Sequence, residues 1–299
     1  MSSELISIGV SVIDYLFLRD QPLVGTFSSA CDHLVQGGGL AATAAVTMAR
    51  LGGGVEMWTR VGDGPTGRFI LEQFEQEGVD TSQVVVCPGG ASPACAVIVD
   101  QTCSERFFTF FAGRGLTGGV EQLDLGRVER ASVVLVDGWW PEAQLAAARR
   151  AHACGVAVCS DFERLPETSL AMLPFVDYPV YPLECVGAYC GTGSVEGDLR
   201  CIAELGGRVP MITLGDQGCI WLEDGQVHRL PAFEVEVVDT TGCGDVFHGA
   251  FAFGLSRGWG VERSARFASA TSALKCRALG GRTGIPRYGE VVAFLESHA

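Results

Sequence analysis

A repeated alternation of short β-rich runs with helical stretches constrains this chain more than any other feature. Residues 5–10, 55–60, 133–136, 156–159 and 211–214 read as strands. Residues 39–51, 67–77, 141–153 and 246–256 are alanine-rich or amphipathic and read as helices. Apolar strands separated by helices of this length predict a parallel sheet covered on both faces, an α/β fold. With 47% hydrophobic and 19% charged residues, the chain carries enough apolar material for that core.

Two segments break the rhythm. Residues 15–34 are β-rich with no helix, and residues 94–111 (ACAVIVDQTCSERFFTFF) read as a hairpin around a polar turn. Together they predict a small β lobe of 15–34 and 94–111, inserted into a large domain of 1–14, 35–93 and 112–299. A further hairpin is expected over 218–230 around Asp224-Gly225, and a last helix over 289–298. No repeat, linker or low-complexity tract divides the chain.

Charge narrows the partners. Twenty-one basic residues against 35 acidic ones give a net charge of −14, which repels phosphate backbones and anionic lipid surfaces. No apolar run reaches the roughly 20 residues of a spanning helix, and MSSELISIGV has no basic region ahead of a long apolar stretch, unlike a secretory leader. The expectation is a cytoplasmic, globular protein with no nucleic-acid or membrane partner. Twelve cysteines fit that setting as small buried hydrophobes, with Cys95, Cys154, Cys159, Cys219 and Cys276 in apolar surroundings. None has metal-ligand spacing: no CxxC occurs, and neither Cys154/Cys159 nor Cys185/Cys190 has His or Cys partners.

The chain contains a single lysine, Lys275. A P-loop requires GxxxxGK[ST], so that phosphate device is excluded. GDGPTG (62–67) matches GxGxxG between a strand and a helix. A dinucleotide fold would add an acidic residue about 20 positions on; Asp80 comes too early and 84–87 offers none. A strand-to-helix turn that needs glycines is the better reading of this motif.

The most informative segment is VVDTTGCGDVFHGAFAFGL (237–255). A β-rich run ends at Asp239, a glycine-rich turn follows, and a helix begins near Asp245. The N–H groups of Gly242, Cys243 and Gly244 would open the helix N-terminus as an anion hole, where unpaired donors add to the positive end of the helix dipole. Glycine permits the tight turn and the approach of an oxyanion to the backbone. Asp245 then stands in the first turn, placed to accept a proton from a hydroxyl attacking a phosphoryl group. An N-cap aspartate after a glycine turn is the plainer alternative for GD alone; seven matched residues favour the catalytic reading.

DTTGCGD (239–245) resembles the signature of the ribokinase-like (PfkB-type) carbohydrate kinases. The resemblance runs in order along most of the chain: GVSVID (9–14), GGGLAATAAVTMARLGG (37–53), RVGDGPTG (60–67), TLGDQG (213–218), the signature, and FASATSALKCRALGGRTGIP (267–286). Within the family the motifs come nearest to sulfofructose and ketohexose kinases. The resemblance implies a three-layer sandwich with a mostly parallel central sheet and a small β lid, which serves relatives as a dimer interface. It implies an ATP- and Mg²⁺-dependent kinase acting on a primary hydroxyl of a ketose or related carbohydrate. Asp245 corresponds to the general base and Gly242, Cys243 and Gly244 to the anion hole. Asp14 corresponds to the carboxylate on the sugar hydroxyls, and Gly38 and Gly39 let the sugar lie close. Thr213, Gly215 and Gly218 correspond to the nucleotide loop, and Ser269 stands where relatives often have an adenosine-contacting Asn. Asp239 and Thr241 are similar to positions that hold a structural monovalent cation, which implies activation by K⁺.

Departures from the pattern bear on the substrate. Thr43 replaces the usual sugar-binding Asn, so a hydroxyl takes over from an amide. The NxxE segment reads Tyr181-Pro-Leu-Glu184, leaving Glu184 alone to help order Mg²⁺. Trp139 and Trp140 either stack on a sugar ring or pack against lid and core. Arg106 and Arg114 of the lid either meet an anionic substrate or remain solvated. His248 either approaches the phosphates or packs. Without an evident cationic clamp, a neutral ketose is expected over a sulfonated one. The remaining alternatives are a nucleoside kinase of the same fold, a nicotinamide-dependent oxidoreductase using GDGPTG, and a non-catalytic sugar-binding relative.

Overall fold

The computed structural model describes residues 4–21, 28–102, 105–163, 167–187 and 190–298. Residues 1–3, residues 22–27 of the first β-rich segment, and residues 103–104 of the hairpin's turn lie outside them.

Eight strands form one sheet: β1 (Leu5–Ile8), β4 (Val55–Trp58), β9 (Val133–Val136), β10 (Ala157–Asp161), β11 (Tyr178–Pro182), β12 (Met211–Thr213), β13 (Cys219–Glu223) and β14 (Gln226–Leu230). Their spatial order is β14-β13-β12-β11-β10-β9-β1-β4. Contacts from β4 through β12 are parallel, and the β12–β13 and β13–β14 pairs are antiparallel at one edge.

Alternation along the strands sorts the two faces. Leu5, Val133 and Leu135 enter one core with α1 (Leu40–Arg50), α7 (Cys243–Ser256) and α8 (Val261–Lys275). Ile6, Ile8, Val134 and Val136 enter the other with α3 (Pro141–Cys154) and α6 (Val195–Glu204). The layers are thus helix, sheet, helix. Alanines 41, 42, 44 and 45 of α1 are fully buried. Their small side chains let α7 approach so closely that a Cβ on Gly249 would stand 2.5 Å from the Ala44 carbonyl.

A second sheet of order β3-β2-β7-β8 comprises β2 (Val12–Arg19), β3 (Asp32–Gly38), β7 (Ala94–Asp100) and β8 (Glu105–Phe111). It draws on both β-rich segments, but β2 begins at Val12 and β3 runs to Gly38. Asp14 and the first glycines of the GGG motif are therefore strand residues of this sheet, paired through its register: Asp14 opposite Gln36, Ile13 opposite Gly37. Strand β8 is exposed throughout.

Two of the three glycines of GDGPTG, Gly62 and Gly67, serve packing. Gly62 ends β5 (Arg60–Gly62), which pairs with β6 (Val85–Cys87), and Gly67 lies in α2 (Pro65–Gln76). A Cβ on Gly62 would stand 2.1 Å from the Gly90 carbonyl, and one on Gly67 1.8 Å from that of Gly62. The cysteines depart from expectation in two ways. Cys190 and Cys201 form a disulfide between α6 and the preceding loop, and Cys154, at the end of α3, is exposed. Composition pointed to buried thiols; the loop and α6 bring two sulfurs 11 positions apart together instead.

Candidate active site

The crevice lies at the carboxyl ends of the parallel strands, the edge where open α/β sheets bind ligands. Asp137 follows β9, Asp161 ends β10, Glu184 follows β11 in the short α5 (Leu183–Val186), and Gly215–Gly218 follow β12. The signature turn opens α7 beside them.

Gly242 precedes α7 with φ +71°, a left-handed conformation that glycine adopts without strain. Among the described residues no group accepts from the N–H of Gly242, Gly244 or Asp245. Cys243 differs from expectation, because its N–H donates to the Thr240 carbonyl at 3.2 Å. The open donors of the turn are therefore those of Gly242, Gly244 and Asp245. The Cys243 thiol hydrogen-bonds Cys276 and is held down at about 6, chiefly by that bond.

The carboxyl of Asp245 is pushed well above the usual range, first by desolvation and then by the charge of Glu163. Asp161 is raised similarly by burial and by Asp245 itself. His248, one turn into α7, is 4% exposed. Burial depresses it to about 4, so its ring is neutral. Its Nδ1 lies 2.7 Å from the Gly244 carbonyl and 3.2 Å from Asp161 Oδ2. His248 thus braces the turn ahead of Asp245 from inside the core.

Asp14 is 9% exposed, and burial raises its carboxyl to about 6 against the opposing pull of Arg282. Its Oδ2 occupies the space above Gly38, where a Cβ would stand 1.9 Å away. Gly39 takes φ +96° against the Val10 carbonyl, which a Cβ would meet at 2.5 Å. Thr43 is buried in α1 nearby. The Arg282 guanidinium reaches into this corner, donating from Nη2 to the Gly38 carbonyl at 3.1 Å. It also stacks over Phe74 at 5.5 Å. Arg282 lies within the GGRTGIP stretch, yet its role was not legible there. The signal available was a basic residue shortly after a double glycine, in a chain otherwise short of cations.

Asp137 is a second residue that sequence reasoning passed over. Its carboxylate accepts from the N–H of Val10 (2.8 Å), Ala41 (3.2 Å) and Trp139 (2.9 Å) and from Gln144 Nε2 (2.8 Å). It thereby ties the end of β1, the first turn of α1 and the start of α3 into one rim. Trp140 is buried with Arg60 over its ring, so it belongs to the core. Trp139 is partly exposed and meets Phe110 of β8 edge-on at 5.0 Å, which joins the two sheets across the crevice. The Arg106 and Arg114 side chains are exposed; the charge of Arg106 is felt at Cys243 and Lys275.

Gly215 (φ +60°) and Gly218 (φ +90°) flank a single helical turn after Thr213. A Cβ on Gly218 would stand 2.0 Å from the Leu230 carbonyl, so the loop hugs the β13–β14 hairpin. Ser269 of α8 hydrogen-bonds Cys219 at the base of that hairpin. These small residues stand where the resemblance places the nucleotide loop. The exposed Glu184 lies at the next strand end, suited to the shell of a hydrated Mg²⁺. Asp239 and Thr241 fit a monovalent cation poorly. Asp239 Oδ1 accepts from the Thr241 N–H and Oγ1–H at 2.8 and 2.7 Å, Oδ2 accepts from the Gly280 N–H at 2.8 Å, and the Asp239 carbonyl accepts from Lys275 Nζ.

An open α/β sheet with open N–H donors at a helix N-terminus, an adjacent carboxylate of raised pKa and a second buried carboxylate, Asp14, suits phosphoryl transfer to an alcohol. Comparison with known proteins gives the family. Residues 4–287 match the pfkB family carbohydrate kinase model, and the chain belongs to that family. It is 29% identical over 270 residues to a ribokinase of Lactococcus lactis, covering 89% of this chain and 87% of the relative. It is 28% identical to a fructokinase-1 of Oryza sativa subsp. japonica, covering 99% and 98%. A crystal structure of a candidate ribokinase from Agrobacterium tumefaciens superposes with TM-score 0.92 at 30% identity, covering 100% of this chain and 99% of that one.

Proposed function

We propose that this ATP-dependent kinase phosphorylates a primary hydroxyl of a neutral ketose or closely related carbohydrate. The observation that supports this most is the position of Asp245, in the first turn of α7 beside the open N–H groups of Gly242 and Gly244. Asp14 and the backbone at Gly38 and Gly39 hold the sugar, with Thr43 and Trp139 against it. Asp245 accepts the proton of the attacking hydroxyl, and its raised pKa makes it a stronger base than a solvated carboxylate. ATP, with Mg²⁺ on its phosphates, supplies the phosphoryl group. The amides at the start of α7 receive the charge that develops on it. Thr213, Gly215, Gly218 and Ser269 line the nucleotide groove, and Glu184 orders the Mg²⁺ hydration.

The four-stranded sheet acts as a lid. Its exposed Tyr15, Phe17, Phe107 and Phe111 share one face of the sheet and form an apolar surface suited to a homodimer through that sheet. Among the described residues no helix is long and apolar enough to cross a membrane, and a reaction fed by ATP belongs in the cytoplasm. A coupled ADP-release assay over ketoses, aldoses, sulfosugars and nucleosides tests the reading. The expected outcome is the highest kcat/KM for a neutral ketose; a nucleoside or sulfosugar in that place would reassign the pocket.

A further inference from the structure

The only lysine in the chain is the last residue of α8, and it is completely buried. A buried ammonium is costly unless its donors are paired, and Lys275 Nζ donates to the Asp239 carbonyl at 2.9 Å. Asp239 is itself the knot of the loop that leads into the anion hole. Its carboxylate holds the Thr241 N–H, the Thr241 hydroxyl and the Gly280 N–H. The N–H groups of Val238 and Asp239 donate to the Cys276 carbonyl at 2.8 and 3.1 Å. Ser272 Oγ, also on α8, donates to the Cys243 carbonyl at 2.8 Å. The end of α8 is thus sewn to the 238–243 loop along its length, with the Lys275 amino group at the centre. Every oxygen of Asp239, carboxylate and carbonyl, already has a donor from within the chain.

We propose that the Lys275 ammonium is a built-in substitute for a monovalent cation beneath the anion hole, so that phosphoryl transfer needs no added K⁺. An ammonium and K⁺ are close in size, and both place one positive charge against backbone carbonyls. Lys275 supplies that charge from α8, where salt concentration cannot remove it. It is a positioning residue: it holds the Asp239 carbonyl, and through the 239–242 turn fixes the N–H groups that receive the phosphoryl oxygens. The inference rests on the kinase reading and reverses the K⁺ activation that the sequence implies at Asp239 and Thr241.

The test is turnover of purified enzyme with its preferred sugar and Mg-ATP, in chloride salts of K⁺, Na⁺ and choline at equal ionic strength. Wild type is expected to give rates within twofold in all three; fivefold or greater activation by K⁺ overturns the proposal. Lys275→Ala leaves a cavity at Nζ. This variant is expected to lose at least tenfold in kcat and to recover part of it with saturating K⁺ or NH₄⁺, but not with choline. A loss that no cation relieves would make Lys275 merely structural and overturn the proposal. Lys275→Met, which fills the space without charge, is expected to lose activity without rescue. Melting temperature separates this from the kinase reading. If wild type transfers no phosphoryl group in any salt, the kinase reading fails, while K⁺ still decides the proposal by leaving the wild-type Tm unchanged or raising it over choline. If the variants do not fold, the wild-type salt comparison decides alone.

Discussion

The Nε–H of Arg282 faces Oγ1 of Thr43 across 3.4 Å, beside Asp14 and Gly38. The guanidinium enters from the 276–285 segment over Gly37, where a Cβ would stand 2.2 Å from Nη1. Burial pulls Arg282 down to about 10, while Asp14, Glu77 and Asp245 pull it back up. Those carboxylates answer its charge, and the Gly38 carbonyl takes one of its donors. Arg282 is therefore a support for Asp14 rather than a free clamp for an anionic substrate.

Removing that support shifts a pKa in a known direction. Asp14 sits at about 6 because burial raises it more than Arg282 lowers it. If Asp14 holds the sugar as proposed, binding through the carboxylate is expected to be complete above that value and to be lost as pH falls through it. Arg282→Gln leaves the desolvation and removes the opposing charge, so the acid limb of kcat/KM moves to higher pH. At pH 7 the variant is expected to lose about tenfold or more in kcat/KM, ~1.4 kcal/mol or more. A pH profile over 5–9 for both proteins checks the shift, and superimposable limbs would remove Arg282 from the pocket's electrostatics.

Gly38→Ala tests the contact on the other side of Asp14. The new methyl would overlap the Asp14 carboxylate, which must turn away. KM for the sugar is expected to rise with kcat/KM falling on the order of 100-fold, while KM for ATP, bound at the far end of the crevice, stays within twofold.

Asp137 predicts a stability effect instead. Asp137→Ala removes the acceptor of three buried or half-buried N–H donors, while Gln144 Nε2 keeps the Ile8 carbonyl at 2.7 Å. Unsatisfied groups cost roughly 1–3 kcal/mol each, and partial relaxation brings the expected total to about 3 kcal/mol. Thermal unfolding should show Tm lower by roughly 5–10 °C. An unchanged Tm would mean that the rim does not depend on this carboxylate.

Much of the architecture was legible from local pattern. The alternation gave strands 133–136 and 211–214 and helices 141–153 and 246–256 to within a few residues, because buried strands and their covering helices differ in length and composition. The signature turn was legible because a glycine at positive φ and an acid in the first turn are local requirements. What escaped depends on distance along the chain. Asp137 reaches Val10 and Ala41 across 127 and 96 positions. Arg282 meets Gly38 and Thr43 across 244 and 239, and Lys275 finds Asp239 only when α8 packs on α7. No periodicity encodes such meetings. The Cys243 N–H is a local error: the turn closes on Thr240 and spends a donor that spacing alone left open.

The assignment of Asp245 as the base of a sugar kinase is tested most directly by Asp245→Asn. The substitution keeps the side chain's size and leaves the open N–H groups of the turn in place. It removes the proton acceptor, so kcat should fall by at least 10³-fold, about 4 kcal/mol, with the Kd for ATP measured by titration within threefold of wild type. A variant that keeps most of its kcat would contradict the assignment.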